Sequence, residues 1–249
     1  MTFDLRRLKN ARSSSLARQD HKERVTLLAG IAVGSILLWQ TALGSLLLYP
    51  FTILATWFHE MGHGLAAMLT GRGFERLLIF SDGSGVAESL RPSDGYRLTD
   101  ALVAASGPLG PAVAGALLII ASRSPAATRN ALAVLGVALI LSTSIWVRSL
   151  TGWLVLPAMG LAIVLLALRG SLSWQSFVIQ LLGVQACISV WRQFDYLFSP
   201  GGMVGGQLAR SDTGAIADVL LLPYWFWGAA ISAVILALLW GSFRLAFRR

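Results

Sequence analysis

Phe51-Thr52-Ile53-Leu54-Ala55-Thr56-Trp57-Phe58-His59-Glu60-Met61-Gly62-His63-Gly64-Leu65-Ala66-Ala67-Met68-Leu69 is an apolar run interrupted by three ionisable side chains. Its length matches the roughly 20 residues that a helix needs to cross a bilayer. On a helix, His59 and His63 stand at i and i+4 on one face, with Glu60 beside them. This is the ligand pair and general base of a hydrolytic zinc site, which needs a third protein ligand and an open position for water. Ionisable groups are expensive inside lipid, so their presence here points to function.

The rest of the chain fits a membrane setting. It is 55% hydrophobic and only 13% charged, with a mean hydropathy of +0.68, against about 25% charged residues in soluble domains. We expect an all-α polytopic membrane protein of six to seven transmembrane helices. A basic cytoplasmic arm at 1–24 precedes a single membrane-embedded domain at 25–249. Candidate spans are 25–48, 51–69, 101–121, 130–148, 152–168, 174–198 and 216–240, with a break at Tyr49-Pro50 between the first two. Alternation in Glu75–Phe80 and Val86–Leu90 around Ser81-Asp82-Gly83-Ser84-Gly85 predicts a β-hairpin just after the motif helix. Residues 199–213 read as a glycine-rich connection.

The net charge of +8 is carried mostly by arginine near the ends of apolar segments, which suits anionic headgroups and topology control. Basic residues interleaved with base-reading or aromatic ones are missing, which excludes nucleic acid as a partner. The partners expected are the lipid bilayer and a transmembrane protein substrate. A cytoplasmic arm puts 71–99, Arg148 and 199–213 on the cytoplasmic side, and seven spans then leave Arg244, Arg248 and Arg249 outside, against the positive-inside rule. Cys187 is the single cysteine, which rules out a disulfide framework and a thiolate metal site. Tryptophans such as Trp39, Trp57 and Trp191 read as an interfacial belt.

The third ligand has two candidates. Asp212 follows the glycine-rich connection at a helix start, where it or Ser211 could equally serve as an ordinary N-cap. Asp195 lies late in an apolar helix, where it could equally pair with Arg192 at i−3. Asp212 is the first choice and Asp195 the alternative.

These residues resemble the site-2 protease family of intramembrane zinc metalloproteases, in its short bacterial branch without a PDZ domain. The resemblance rests on His59-Glu60-Met61-Gly62-His63-Gly64, on the polar hairpin Ser81-Asp82-Gly83-Ser84-Gly85-Val86, and on Ser106-Gly107-Pro108-Leu109-Gly110-Pro111, read as a break opening the next span. It implies Zn2+ on His59 and His63, Glu60 as the base, and cleavage of a peptide bond in or near a transmembrane segment. It also implies a bacterial cell-membrane location. The substrate would lie as an added strand along the hairpin at Ser84, Gly85 and Val86. The family takes its third ligand from a leucine-aspartate-glycine motif, but the closest string here, Met203-Val204-Gly205-Gly206, has Val204 in that place. Two rival readings follow: an inactive relative that binds transmembrane helices, and a metal or proton transporter. The transporter is disfavoured by the lack of any internal repeat.

Overall fold

A computed structural model describes residues 25–90 and 97–247. The basic arm at 1–24, Arg91, Asp94 and the terminal Arg248 and Arg249 lie outside the described residues. Helix α1 (Val25–Trp39) is followed by α2 (Ala42–Leu69), strands β1 (Phe74–Ile79) and β2 (Gly85–Ser89), α3 (Arg97–Ala121), α4 (Pro125–Ile145), α5 (Leu150–Arg169) and α6 (Leu172–Arg192). Then come the single turn α7 (Phe194–Leu197), strands β3 (Gly201–Val204) and β4 (Gln207–Arg210), α8 (Asp212–Val219) and α9 (Tyr224–Phe247). Six of these helices (α2, α3, α4, α5, α6 and α9) are long and apolar enough to cross a membrane.

The first two spans divide at a different point from the one the sequence suggests. Helix α2 runs through Tyr49-Pro50, and the chain breaks at Gln40-Thr41 instead. Thr41 is the reason: its hydroxyl oxygen accepts the Gly44 N–H at 3.0 Å and caps the new helix. A proline inside a membrane helix is tolerated when the surrounding protein supports the turn it disrupts. The same holds for α3, which continues through Pro108 and Pro111 where the sequence suggested a break. The last expected span, 216–240, is instead two helices, with α8 ending at Val219 and α9 starting at Tyr224 after Pro223. Trp57 is not part of a belt. It is buried, and its indole N–H donates to Ser142 Oγ of α4 at 2.9 Å.

Helices α2 and α3 lie in backbone contact. A methyl group on Gly62 would stand 2.4 Å from Ser106 O, and one on Gly110 would stand 2.2 Å from Phe58 O. Small residues permit this approach where lipid supplies no hydrophobic drive between helices. The contact brings the α3 backbone up to the His59–His63 turn of α2. At its far end Arg72 pairs with Asp100 at 2.6 Å, fixing the end of α2 to the start of α3.

The first hairpin folds back along α2. Phe74 packs on Gly64, while Gly83 at the tip meets Thr52, so the hairpin covers about 18 Å of the helix at 1.5 Å per residue. Thr56 Oγ1 donates to Gly83 O, and Tyr49 OH donates to Ser81 O at 2.9 Å. The register pairs Leu78 with Val86 and Ile79 with Gly85, and Leu77 and Ile79 are buried in the core. The outer edge of β1 is taken by the α4–α5 turn, through Leu77 N–H to Trp146 O and Arg148 N–H to Leu77 O. Strand backbone at this depth must be paired or face a cavity, and β2 faces the cavity described below.

The glycine-rich connection is a second hairpin. Met203 pairs with Leu208 and Val204 with Gln207 across Gly205-Gly206, whose φ angles of 55° and 80° are left-handed. A two-residue Gly-Gly turn between strands is the form that favours such angles. Its tip meets the first hairpin, with Gly205 N–H donating to Ser84 Oγ at 3.0 Å.

The α2–α3 contact carries a test. Gly62→Ala and Gly110→Ala should each cost about 1–3 kcal/mol through overpacking, read as a lower midpoint of thermal unfolding in detergent. Gly241→Ala meets nothing within 4 Å and should not lower the midpoint, since alanine favours a helix over glycine. Unchanged midpoints for both α2–α3 variants would contradict the contact.

Candidate metal centre

Two elements far apart in sequence, α2 and α8, meet at one point. His59 and His63 come from the middle of α2. Asp212 is the first residue of α8, whose start is tied to α7 and the turn after it: Ser211 Oγ donates to Ser199 O, and Thr213 Oγ1 donates to Leu197 O at 2.9 Å. Ser211 serves as N-cap, accepting Gly214 N–H at 3.0 Å. That leaves the Asp212 carboxylate free to point at the histidines. Asp212 Oδ2 lies 3.0 Å from His59 Nε2, and Asp212 Oδ1 lies 3.2 Å from His63 Nε2. One ligand atom from each of the three residues falls within 4.8 Å of the others.

The hydrogen bonds on the far side of each ring define what these atoms offer. His63 Nδ1 is 2.7 Å from Val103 O. A backbone carbonyl only accepts, so the ring hydrogen sits on Nδ1 and a neutral His63 turns a bare Nε2 lone pair toward Asp212. His59 Nδ1 likewise faces Gln193 Oε1 at 3.1 Å. Asp212 Oδ2 is buried with no hydrogen-bond donor, although His59 Nε2 is near: both atoms are lone-pair donors.

A cation is what this set of atoms lacks. In a tetrahedral zinc site with bonds of about 2.0–2.1 Å, neighbouring ligand atoms stand about 3.3 Å apart, close to the two nitrogen–oxygen separations of 3.0 and 3.2 Å. Gly107 of α3 leaves the necessary room, since a methyl group there would fall 2.1 Å from His63 Nε2 and 2.8 Å from His59 Nε2. His59, His63 and Asp212 therefore fit a zinc ion, with distal partners on both imidazoles of the kind that orient ligating histidines.

Glu60 is buried beside the cluster, with the backbone N–H of Ala87 near its carboxylate. Together these residues line a cavity of about 260 Å³ whose opposite wall is β2, at Gly85, Val86 and Ala87. Of the hairpin residues singled out from sequence, Gly85 and Val86 reach the cavity. Ser84 does not: its hydroxyl donates to Asp82 Oδ1 at 2.7 Å and accepts from Gly205. Asp195 stands apart from the cluster. It lines a different cavity and makes no ion pair with Arg192 among the described residues, because α6 ends between them at Gln193. Val204, which stands where the resemblance would put an aspartate, also lines this cavity but brings no ligand atom, and the carboxylate present there is that of Asp212.

Two residues of this site carry no signal that sequence reasoning could use. Gln193 is uncharged and lies at the end of an apolar helix. Tyr196 lines the cavity and donates to Arg210 O at 3.2 Å. Burial first, then the nearby Asp212 and Glu60 charges, push its pKa up, so it remains an O–H donor.

Fold and cavity define a polytopic membrane protein with a candidate metal centre among its helices. The chain matches the Peptidase M50B-like family across residues 27–242, and it belongs to that family of membrane-embedded proteases. No characterised protein and no solved structure matches it.

The distal bond on His59 predicts a measurable effect. Gln193→Leu should weaken zinc binding to the purified, metal-stripped protein about 10–100-fold, while Gln193→Glu should preserve it. Equal affinity in the leucine variant would remove Gln193 from the site.

Proposed function

We propose that the chain is an intramembrane zinc endopeptidase that hydrolyses a peptide bond in or near a transmembrane segment of a substrate protein. His59, His63 and Asp212 hold the ion, and Glu60 is the general base. The observation that carries this reading is the convergence of the two Nε2 atoms on one buried carboxylate whose Oδ2 has no donor. When bound, zinc supplies Lewis acidity toward a water molecule and the scissile carbonyl.

The chain's own residues account for the rest. Glu60 takes a proton from the attacking water, whose oxygen adds to the carbonyl carbon. As the C–N bond breaks, Glu60 returns that proton to the leaving nitrogen. The Tyr196 hydroxyl lines the same cavity; by exchanging its bond to Arg210 O for one to the substrate, it would donate to the carbonyl oxygen as negative charge develops there.

A substrate helix must unwind before any of this, because its amides are otherwise closed in i→i−4 bonds. Strand β2 supports that step. Its partner β1 is satisfied on both sides, whereas Gly85, Val86 and Ala87 border the cavity and could pair with an extended segment. Gly85 is needed there, since a methyl group would stand 2.9 Å from Glu60 Cγ. A bacterial cell-membrane location with the N-terminus in the cytoplasm belongs to the same proposal, supported by the seven Lys and Arg residues of the 1–24 arm.

Glu60→Gln tests the reading. With a labelled membrane-protein pool, wild type should convert at least one protein to shorter products. The variant should slow that conversion by about 10²–10⁴-fold while keeping its zinc, so the uncut protein accumulates. Pools that stay identical for the two proteins would count against proteolysis.

A further inference from the structure

A second cavity lies away from the metal centre. It is a groove of about 950 Å³ between α1, α6 and α9, with Leu28, Ala32, Ile36, Val184, Ile188 and Phe243 on its walls. Its polar residues gather at one end: Trp39, Gln40, Arg192 and Asp195. Helix α6 runs 21 residues to Arg192, about 31 Å at 1.5 Å per residue. That matches the thickness of the hydrocarbon core, so a spanning α6 would carry Arg192 to headgroup depth. From Trp39 to Val25 the groove follows α1 for roughly 21 Å, enough for an extended acyl chain.

Three groups at the polar end lack a partner of the kind they need. The Trp39 indole N–H is buried with no acceptor. The Arg192 guanidinium lies 3.7 Å over the Trp39 ring and has one hydrogen bond, to Thr52 Oγ1 at 3.3 Å. Among the described residues it has no carboxylate within ion-pair distance. The Asp195 carboxylate borders the same space without pairing to Arg192. A cation and an anion are thus held side by side but apart, at the headgroup end of an apolar trough.

We propose that this groove binds one phosphatidylethanolamine molecule. Its phosphate accepts from Arg192 and the Trp39 N–H, its ammonium donates to Asp195, and an acyl chain lies between α1 and α6. Phosphate on guanidinium and ammonium on carboxylate are charge-assisted hydrogen bonds, roughly twice as strong as neutral ones. A choline headgroup keeps the phosphate contact but has no N–H for Asp195. A glycerol headgroup keeps the phosphate but brings no positive charge. A transmembrane helix is the poorer occupant, because its backbone groups are already bonded within the helix and would leave the Trp39 N–H and Arg192 unmatched. The site is separate from the metal centre, and testing it needs no proteolytic activity.

The test is retention of lipid by the full-length protein, purified in detergent with an equimolar mixture of phosphatidylethanolamine, phosphatidylcholine and phosphatidylglycerol. Bound lipid is counted by native mass spectrometry. Wild type should keep one phosphatidylethanolamine per chain, at least about tenfold over either competitor, as one charge-assisted hydrogen bond allows. Asp195→Asn should erase that preference while phospholipid is still retained, and Arg192→Gln should lower retention of all three lipids. Ala32→Trp, which fills the trough, should abolish retention in a protein with an unaltered unfolding midpoint. Equal retention of the three lipids by wild type would overturn the proposal, as would a preference that survives Asp195→Asn. So would a photo-crosslinker at Ile36 that captures an added transmembrane peptide without displacing the lipid.

Discussion

Everything in this protein turns on three polar side chains brought together where lipid would exclude them. His59 Nε2 and His63 Nε2 stand 3.0 and 3.2 Å from the two oxygens of one carboxylate, and their distal nitrogens face Gln193 and Val103. Without a cation that arrangement is unfavourable, because acceptor faces acceptor in a poorly solvated place. The fold has to hold it open. Ser211 and Thr213 fix the start of α8, the α2–α3 contact delivers Val103, and Gly107 keeps its side of the cavity clear.

The same constraint explains the non-helical backbone. A hydrolytic site needs water and an extended substrate, and both are foreign to a bilayer. The first hairpin supplies strand backbone at depth without orphaned groups, because β1 is paired with β2 on one side and with the α4–α5 turn on the other. Only the β2 edge remains, and it borders the cavity. The second hairpin closes over that region through the Gly205–Ser84 bond, tying the loop before Asp212 to the turn beside Glu60.

Much of this could be read from the chain, for identifiable reasons. The His-Glu-x-x-His spacing is local and helical, so it exposed two ligand candidates, the base and the membrane setting at once. The first hairpin showed in its alternation. Asp212 could be ranked above Asp195 but not chosen, since the choice depends on Ser211 taking the capping role and on α7 turning the chain back, both tertiary facts. The second hairpin did carry a signal, Gly205-Gly206 between Met203-Val204 and Gln207-Leu208, which was hidden by its shortness. Pro50, Pro108 and Pro111 misled because packed membrane helices tolerate what isolated ones do not. Gln193 acts through a ring nitrogen 134 positions away in sequence, and nothing local announces that.

The central claim is that His59, His63 and Asp212 form one zinc site, and X-ray absorption at the zinc edge tests it most directly. On purified protein the account predicts one zinc per chain with nitrogen and oxygen neighbours at about 2.0–2.1 Å, lost in Asp212→Asn and retained in Asp195→Asn. A wild-type protein that holds no zinc after reconstitution would contradict it, as would an unchanged spectrum in Asp212→Asn.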